Sequence, residues 1–152
     1  MILEGDIMPD ENKLQILLVD DNKADIWMIE DFIRERDHNV NLTVLRDGQE
    51  AVFYLGKEEG FRNAPDPELI VLDLNMPRLN GKEVLQKIKQ SGRLQNVPVA
   101  VLTSSSNPRD EEECRQLGAE YYFTKPSSLE DYDFLVKRFI GIAGQYKESG
   151  IH

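Results

Sequence analysis

The residues of this chain most suited to chemistry are carboxylates that follow two short apolar runs. Residues 16–19 (Ile-Leu-Leu-Val) lead directly into Asp20 and Asp21, and residues 69–72 (Leu-Ile-Val-Leu) lead into Asp73. Continuous apolar runs of this length are typical of strands covered on both faces in a parallel sheet. Open α/β folds place their sites at the edge where such strands end, so we expect the three carboxylates to lie together there.

A positive charge must hold such a carboxylate cluster together. At an effective dielectric constant near 20, like charges about 4 Å apart repel by roughly 4 kcal/mol. Lys125 follows the fifth apolar run and supplies one cation at the same edge. Oxygen ligands, with no His or Cys nearby, favour Mg²⁺ as the other.

The chemistry that this set of residues allows is the capture of a phosphoryl group. An aspartate carboxylate such as Asp73 can attack a phosphoryl group and keep it as an acyl phosphate. The metal ion, Lys125 and the hydroxyl of Thr103, which ends the fourth apolar run, would contact the phosphoryl oxygens. If Thr103 moved towards that group, Tyr122 on the neighbouring strand could swing into the vacated space as part of a two-state switch. A static surface aromatic is the alternative for Tyr122.

The elements that must position these residues alternate along the chain. Apolar runs typical of strands occupy residues 16–19, 42–45, 69–72, 97–102 and 121–123, and a helical pattern follows each. This alternation predicts a flavodoxin-like (βα)5 fold, a doubly wound parallel sheet of five strands in the order 2-1-3-4-5. The acidic residues fall at its switch point, between the first and third strands. Capping residues mark the helix starts at Asn22, Asp47, Asn80, Asn107 and Ser127.

Composition sets limits on the class of protein. The 152 residues suit one domain, and 18 basic against 28 acidic residues give a formal charge of −10, which disfavours binding to nucleic acid. The single cysteine, Cys114, excludes a disulfide within the chain and is expected to be buried on a helix.

No run has the length of a membrane span or the pattern of a signal peptide, so we expect a cytoplasmic protein that does not contact the membrane. We expect a flexible leader at residues 1–13, a domain at 14–143 and a short polar tail at 144–152.

Taken together, these motifs resemble the receiver domain of response regulators in two-component signalling. The resemblance covers residues 14–143 and rests on the acidic pair at 20–21, Asp73 within Leu-Asp-Leu-Asn-Met-Pro, Gly81, Thr103 within Leu-Thr-Ser-Ser, and Lys125-Pro126. Thr103 lies 30 residues after Asp73, and Lys125 lies 22 residues after Thr103. Tyr122 lies 19 residues after Thr103. These intervals are similar to those of chemotaxis-type receivers.

The resemblance implies a phosphoacceptor and a set of metal ligands. It makes Asp73 the phosphoacceptor, with Asp20 and Asp21 as the pair of acids that binds Mg²⁺ beside it. The backbone carbonyl of Asn75 would complete the protein ligands of the metal. Asn75 and Ser105 occupy the two positions that tune how fast the family loses its phosphate.

The resemblance also implies residues that contact the phosphoryl group and a residue that changes position when that group is present. Thr103 and Lys125 match the hydroxyl and the lysine that contact that group, and Tyr122 matches the switch aromatic. The Lys125–Pro126 peptide bond is expected to be cis, which proline makes accessible.

One departure from chemotaxis-type receivers narrows the resemblance. The interval between Asp21 and Asp73 is longer, and the excess falls in the Gly-, Pro- and charge-rich segment 56–68. With the pattern Asp-Asn-Lys-Ala-Asp at 21–25, the chain resembles the stand-alone receivers associated with bacterial phytochromes. This implies a single-domain response regulator of a phosphorelay rather than an enzyme. Its expected partners are a sensor histidine kinase, with the phytochrome type as the candidate, or a histidine phosphotransfer protein. A homodimer through the fourth helix, fifth strand and fifth helix is also expected.

Two other functions fit parts of the pattern. A haloacid-dehalogenase-like phosphohydrolase would carry a second Asp two residues after the nucleophile, whereas this chain has Asn75, which cannot serve as general acid and base. A pseudo-receiver that acts as an adaptor would generally lack the acceptor, a metal-binding acid or the lysine, and all three are present here.

Overall fold

The computed structural model describes residues 12–36, 39–58, 60–76 and 80–150. Five strands alternate with five helices along the described residues, as the apolar runs predict. Their bounds are β1 (Leu14–Val19), α1 (Lys23–Arg36), β2 (Val40–Leu45), α2 (Gly48–Leu55), β3 (Leu69–Leu72), α3 (Gly81–Gln90), β4 (Val99–Thr103), α4 (Pro108–Gln116), β5 (Tyr121–Thr124) and α5 (Leu129–Ser149).

The sheet has the predicted topology. Its five strands lie in the order β2-β1-β3-β4-β5, and all four neighbouring pairs are parallel. Side chains alternate between the two faces, so that Leu17 and Val19 join one apolar cluster while Ile16 and Leu18 join the other. The clusters lie under α2, α3 and α4 on one face and under α1 and α5 on the other. Burial on both faces explains why the central strands are continuously apolar.

The helix caps are nearly all where the sequence places them. The side chains of Asp47, Asn80 and Asn107 accept backbone N–H bonds at the starts of α2, α3 and α4. The start of α5 is different, because Ser128 rather than Ser127 is its cap and accepts from Asp131 N at 3.2 Å. Each serine has an acidic residue three positions later, so sequence alone leaves two possible registers.

The last helix extends past the boundary expected at residue 143. α5 continues through Ser149 and ends at Gly150, whose φ of 71° is left-handed. Tyr146 packs against the core, and Lys147 Nζ donates to Lys13 O at 3.1 Å. The prediction of a polar tail at 144–152 is therefore wrong for residues 144–149, because contacts with the domain retain them in the helix. Of the predicted leader at residues 1–13, residues 1–11 lie outside the described residues.

The Lys125–Pro126 bond also differs from expectation. No peptide bond among the described residues is cis, so the prediction of a cis bond here is wrong. The isomers of an X–Pro bond differ by only about 0.5–1 kcal/mol, so the dipeptide by itself does not select one. The trans bond still brings Lys125 Nζ to within 3.3 Å of Asp73 Oδ2.

The long connection before β3 is held by an arginine. Arg93, which follows α3, donates to the carbonyl oxygen of Leu55 at the end of α2 and pairs with Asp66 in the loop. Glu68 N donates to Gln15 O at 2.7 Å, which joins the end of the loop to β1. None of the helices in the described ranges is both long and apolar enough to span a membrane.

Candidate functional site

The predicted carboxylates meet at the ends of two adjacent strands. Val19 of β1 pairs with Leu72 of β3, so the residues that follow them, Asp20 and Asp73, come side by side. Both are buried, with 0% and 4% of their surface exposed, whereas Asp21 is exposed. One carboxylate oxygen from each of Asp20, Asp21 and Asp73 lies within 4.8 Å of the others. The predicted cluster of three acids is therefore present in the structure.

Backbone N–H groups in the following turns hold one oxygen of each buried acid. Asn22 N donates to Asp20 Oδ1 at 2.9 Å, and Asn75 N donates to Asp73 Oδ1 at 3.2 Å. The second oxygen of Asp20, Oδ2, is buried and accepts no hydrogen bond from any described residue. A buried carboxylate oxygen without a donor is costly, so this atom is suited to a cation or a proton.

A lysine and a fourth acid complete the pocket. Lys125 Nζ lies 3.3 Å from Asp73 Oδ2 and 3.7 Å from Asp20 Oδ2, which confirms that the lysine reaches the acidic edge. Its shortest ion pair, however, is with Asp25 Oδ2 at 2.5 Å. The other oxygen of Asp25 accepts from Tyr132 Oη at 2.7 Å.

Sequence reasoning missed this fourth acid, because it considered Asp25 only as the last residue of the motif at 21–25, beside the helix cap Asn22. The capping bond exists, with Asp25 N donating to Asn22 Oδ1 at 3.0 Å. Yet Asp25 also lies four and eight residues before Ile29 and Ile33, which share the buried face of α1. An acid on an apolar stripe is the signal that could have identified a buried partner.

Burial and neighbouring charges perturb the acids and bases of the pocket. Burial raises the pKa of Asp20 from 3.8 to about 7, and the charge of Asp73 adds to the effect, while the Asn22 N–H and Lys125 oppose it. For Lys125, burial alone would lower the pKa, but the bond to Asp25 and the charges of Asp20 and Asp73 outweigh it and raise the pKa. Lys125 is therefore charged at neutral pH.

On the other side of the pocket, β4 positions Thr103. This residue is fully buried, and its Oγ1 accepts from Ser105 N at 3.1 Å. Lys125 N donates to Thr103 O at 2.8 Å, which joins the ends of β4 and β5. The hydroxyl and the lysine therefore come from adjacent strand ends at the same edge as Asp73, as the sequence predicts.

Gly81 allows α3 to begin close to the backbone of the acceptor residue. A Cβ atom at this position would lie 2.3 Å from Asp73 O and 2.6 Å from Leu74 Cα. Gly81 N donates to Leu74 O at 2.9 Å, so the close approach is also a hydrogen-bonded one. The structure thus gives a steric reason for the glycine that the sequence shows after the acidic motif.

A polar network connects the β4–α4 loop to α3 and α4. Ser105 Oγ donates to Asp110 Oδ2 at 2.6 Å, and Lys82 Nζ donates to Asp110 Oδ1 at 2.9 Å and to Glu113 Oε2 at 2.6 Å. The bond from Lys82, followed by that from Ser105, lowers the pKa of Asp110. Sequence reasoning did not identify Lys82 or this network. The predicted effect of Ser105 on phosphate loss stays a prediction.

Tyr122 lies on β5 with its hydroxyl beneath the surface. The Oη atom is buried and has no hydrogen-bond partner among the described residues. Burial raises the pKa of this phenol, and nearby Cys114, itself fully buried on α4, adds to the effect. The buried hydroxyl argues against a purely surface aromatic, whereas the predicted switch role is not tested by one conformation.

The donor set of this pocket fits a divalent cation. Three carboxylates with oxygens within 4.8 Å of one another, including the buried Asp20 Oδ2, are ligands that hard cations such as Mg²⁺ and Mn²⁺ take in proteins. The single ammonium of Lys125 is shared among Asp20, Asp25 and Asp73 and cannot balance all of them. A cation among the acids would offset the remaining negative charge.

Fold and site together define a receiver domain of two-component signalling. The chain belongs to the response regulator receiver domain family, whose model matches residues 16–137. It is 39% identical over 134 residues to the response regulator Rcp1 of Synechocystis sp., covering 88% of this chain and 89% of that protein.

Two solved structures agree with this similarity. The phosphorylated cyanobacterial phytochrome response regulator RcpA matches with a TM-score of 0.79 and 39% identity, over 83% of this chain and 90% of that one. A Mn²⁺-bound form of Rcp1 matches with a TM-score of 0.77 and 38% identity, over 82% and 90%. The predicted flavodoxin-like fold and the resemblance to phytochrome-associated receivers are thereby confirmed.

Proposed function

We propose that this chain is a single-domain response regulator that accepts a phosphoryl group on Asp73 from a sensor histidine kinase, in a reaction that depends on Mg²⁺. The observation that carries the proposal is the position of Asp73, buried at the end of β3 with Lys125 Nζ 3.3 Å from its Oδ2 and Asp20 beside it. An acid in this position has both an adjacent cation and a place for a metal ion.

The reaction that we propose is a substitution at phosphorus. One carboxylate oxygen of Asp73 forms a new O–P bond while the bond from phosphorus to the donor atom breaks, and the leaving group keeps that electron pair. Mg²⁺ bound by Asp20, Asp21, Asp73 and the Asn75 carbonyl would reduce the repulsion between the carboxylates and the phosphoryl oxygens.

Residues of the chain perform the remaining tasks. Lys125 donates hydrogen bonds to a phosphoryl oxygen from the position it already occupies beside Asp73. The Thr103 hydroxyl contacts another oxygen, which requires it to leave its present bond with Ser105 N. Asn75, whose backbone N donates to Asp73 Oδ1, and Ser105 influence how fast water removes the phosphoryl group.

Signal output follows from the movement of Thr103. We propose that Tyr122 changes position when Thr103 turns towards the phosphoryl group, so that the surface formed by α4, β5 and α5 differs between the two states. The buried Tyr122 hydroxyl, which lacks a hydrogen-bond partner in the described part of the chain, has no polar contact there that must be broken. A homodimer through that surface is the proposed readout.

The partner is inferred from the relatives. RcpA is described as a cyanobacterial phytochrome response regulator, and RtBRR, 34% identical with a TM-score of 0.71, as a bacteriophytochrome response regulator. We therefore assign a phytochrome-type histidine kinase as the phosphodonor. A histidine phosphotransfer protein is the alternative partner, to which Asp73 would pass the phosphoryl group on.

Intact-mass spectrometry with acetyl phosphate and MgCl₂ tests the proposal. The protein should gain roughly 80 Da, the mass of one phosphoryl group, and the gain should disappear in Asp73→Asn and in the presence of EDTA. Asp31→Asn, which removes an acid on α1 that pairs with Arg34, is the matched control and should be modified normally. The proposal fails if wild type gains no mass or if Asp73→Asn gains it at the same rate.

A further inference from the structure

Lys125 has its shortest contact with an acid that the proposed reaction does not use. Its Nζ is 2.5 Å from Asp25 Oδ2, against 3.3 Å from Asp73 Oδ2 and 3.7 Å from Asp20 Oδ2. Because Coulomb attraction falls with distance, Asp25 is the partner that holds the ammonium most strongly. Asp25 belongs to α1, whereas Asp73 follows β3, so Asp25 holds the lysine from a different element of the fold.

Asp25 is itself fixed from a third element. Tyr132 of α5 donates its hydroxyl to Asp25 Oδ1 at 2.7 Å, and Asp25 N donates to Asn22 Oδ1 at 3.0 Å. Asp25 and Tyr132 are only 7% and 8% exposed, so solvent replaces neither contact readily. Partly buried Lys125 and buried Asp25 and Tyr132 therefore form a chain of polar contacts from the pocket to α1 and α5.

We propose that Asp25, held by Tyr132, is a positioning residue for Lys125 that restrains the ammonium from occupying the cation site between Asp20 and Asp73. The inference rests on the proposed function, because it assigns those two acids to the metal ion. Without the charge of Asp25, the nearest acceptors of the ammonium are the oxygens of Asp73 and Asp20, which are the same groups that the cation requires. Asp25 thus favours metal uptake without being a ligand.

The main test measures binding of Mg²⁺ alone by isothermal titration calorimetry. Asp25→Asn keeps the size of the side chain and an acceptor for the Tyr132 hydroxyl but removes the charge that restrains Lys125. We expect its dissociation constant for Mg²⁺ to rise about tenfold. Asp31→Asn, an equal change of charge on the same helix, should alter the constant less than about twofold, because that acid pairs with Arg34 rather than with the pocket.

A double variant separates positioning from simple loss of charge. In a Lys125→Gln background there is no ammonium to restrain, so adding Asp25→Asn should change the Mg²⁺ constant no more than Asp31→Asn does. An effect of Asp25→Asn that is equal with and without Lys125, or equal to that of Asp31→Asn in wild type, would overturn the proposal. In the first case Asp25 would act by its charge alone.

If Asp25→Asn folds poorly, the variant Tyr132→Phe and an NMR measurement on metal-free protein still test the proposal. Tyr132→Phe leaves the charge of Asp25 but removes its fixed partner, and should raise the Mg²⁺ constant about threefold in the same direction. In metal-free protein labelled with ¹⁵N on lysine, the Lys125 ammonium resonance, assigned with Lys125→Gln, should move in both variants but not in Asp31→Asn. If the resonance did not move in these variants, the proposal that Asp25 positions Lys125 would be refuted.

These results are separable from the fate of the proposed function. If wild type binds Mg²⁺ and Asp25→Asn weakens it through Lys125, but acetyl phosphate adds no mass, positioning stands and phosphoryl capture fails. If acetyl phosphate modifies Asp73 while Asp25→Asn leaves the Mg²⁺ constant and the ammonium resonance unchanged, phosphoryl capture stands and the positioning role of Asp25 fails.

Discussion

Asp20→Asn should make the metal-free protein more stable, and by more at high pH than at low pH. Burial of the Asp20 carboxylate, with Asp73 beside it, raises its pKa from 3.8 to about 7. In the unfolded chain the same carboxyl ionises near its usual value. The folded state therefore binds a proton more tightly than the unfolded state does, and ionising Asp20 opposes folding.

The sign and the pH window follow from this raised pKa. The stability contributed by the protonated carboxyl is fully present below the unfolded value of 3.8 and is lost as pH rises through about 7. Above that pH, a shift from 3.8 to about 7 corresponds to at most about 4 kcal/mol. Solvent screening and the facing Lys125 reduce this, so we expect Asp20→Asn to gain about 2 kcal/mol at pH ~8 and clearly less at pH ~5.

Urea unfolding in EDTA at several pH values between about 5 and 8 measures this difference. Groups other than Asp20 titrate in both proteins, so their contributions largely cancel when wild type is subtracted from the variant. Saturating Mg²⁺ is the internal control, since a bound cation stabilises wild type and should reverse the order of stability. A difference in free energy of unfolding that stays constant with pH, or that grows towards low pH, would refute the assignment of a raised pKa to Asp20.

Three further changes test the packing of the domain. Gly81→Ala should cost at least about 2 kcal/mol in urea unfolding, because its Cβ would lie 2.3 Å from Asp73 O, whereas Gly92→Ala, with open space around it, should change stability by less than about 0.5 kcal/mol. Equal effects of these two variants would contradict the steric argument. Ser128→Ala should cost about 1 kcal/mol in thermal unfolding, since it removes the cap of α5, and no loss would show that the cap is dispensable. Tyr122→Phe should leave stability unchanged or raise it by up to about 1 kcal/mol, because it deletes a buried hydroxyl without a partner among the described residues, and a clear loss would reveal a hidden partner.

The sheet and the acidic pocket could be predicted because each depends on a local pattern and one general rule. Short apolar runs identify the strands, and the rule for parallel sheets places their carboxyl ends at one edge. Asp20, Asp73 and Lys125 follow three such runs, so their convergence required no knowledge of side-chain packing. The pairing of Val19 with Leu72 then brings the two acids together as the strand order implies.

The features that sequence reasoning missed depend on contacts between elements that are distant in the chain. Asp25 and Tyr132 are 107 residues apart, and no spacing rule connects them. The extension of α5 depends on the docking of Tyr146 against the core and of Lys147 on Lys13 O, which a polar composition does not reveal. The choice between Ser127 and Ser128 as cap depends on a single residue of register, which helix signals rarely resolve.

The arrangement of charges connects the proton, the metal ion and the lysine in this pocket. Asp20, Asp25 and Asp73 share the single ammonium of Lys125, so the pocket carries excess negative charge that something else must offset. Without a cation, Asp20 takes up a proton more readily, which is the physical meaning of its raised pKa. A cation and that proton compete for the same carboxylate, so metal binding must release protons below about pH 7. The position of Lys125 then decides how much negative charge remains for the cation, and in our proposal Asp25 sets that position, in addition to the direct effect of its charge on Asp20.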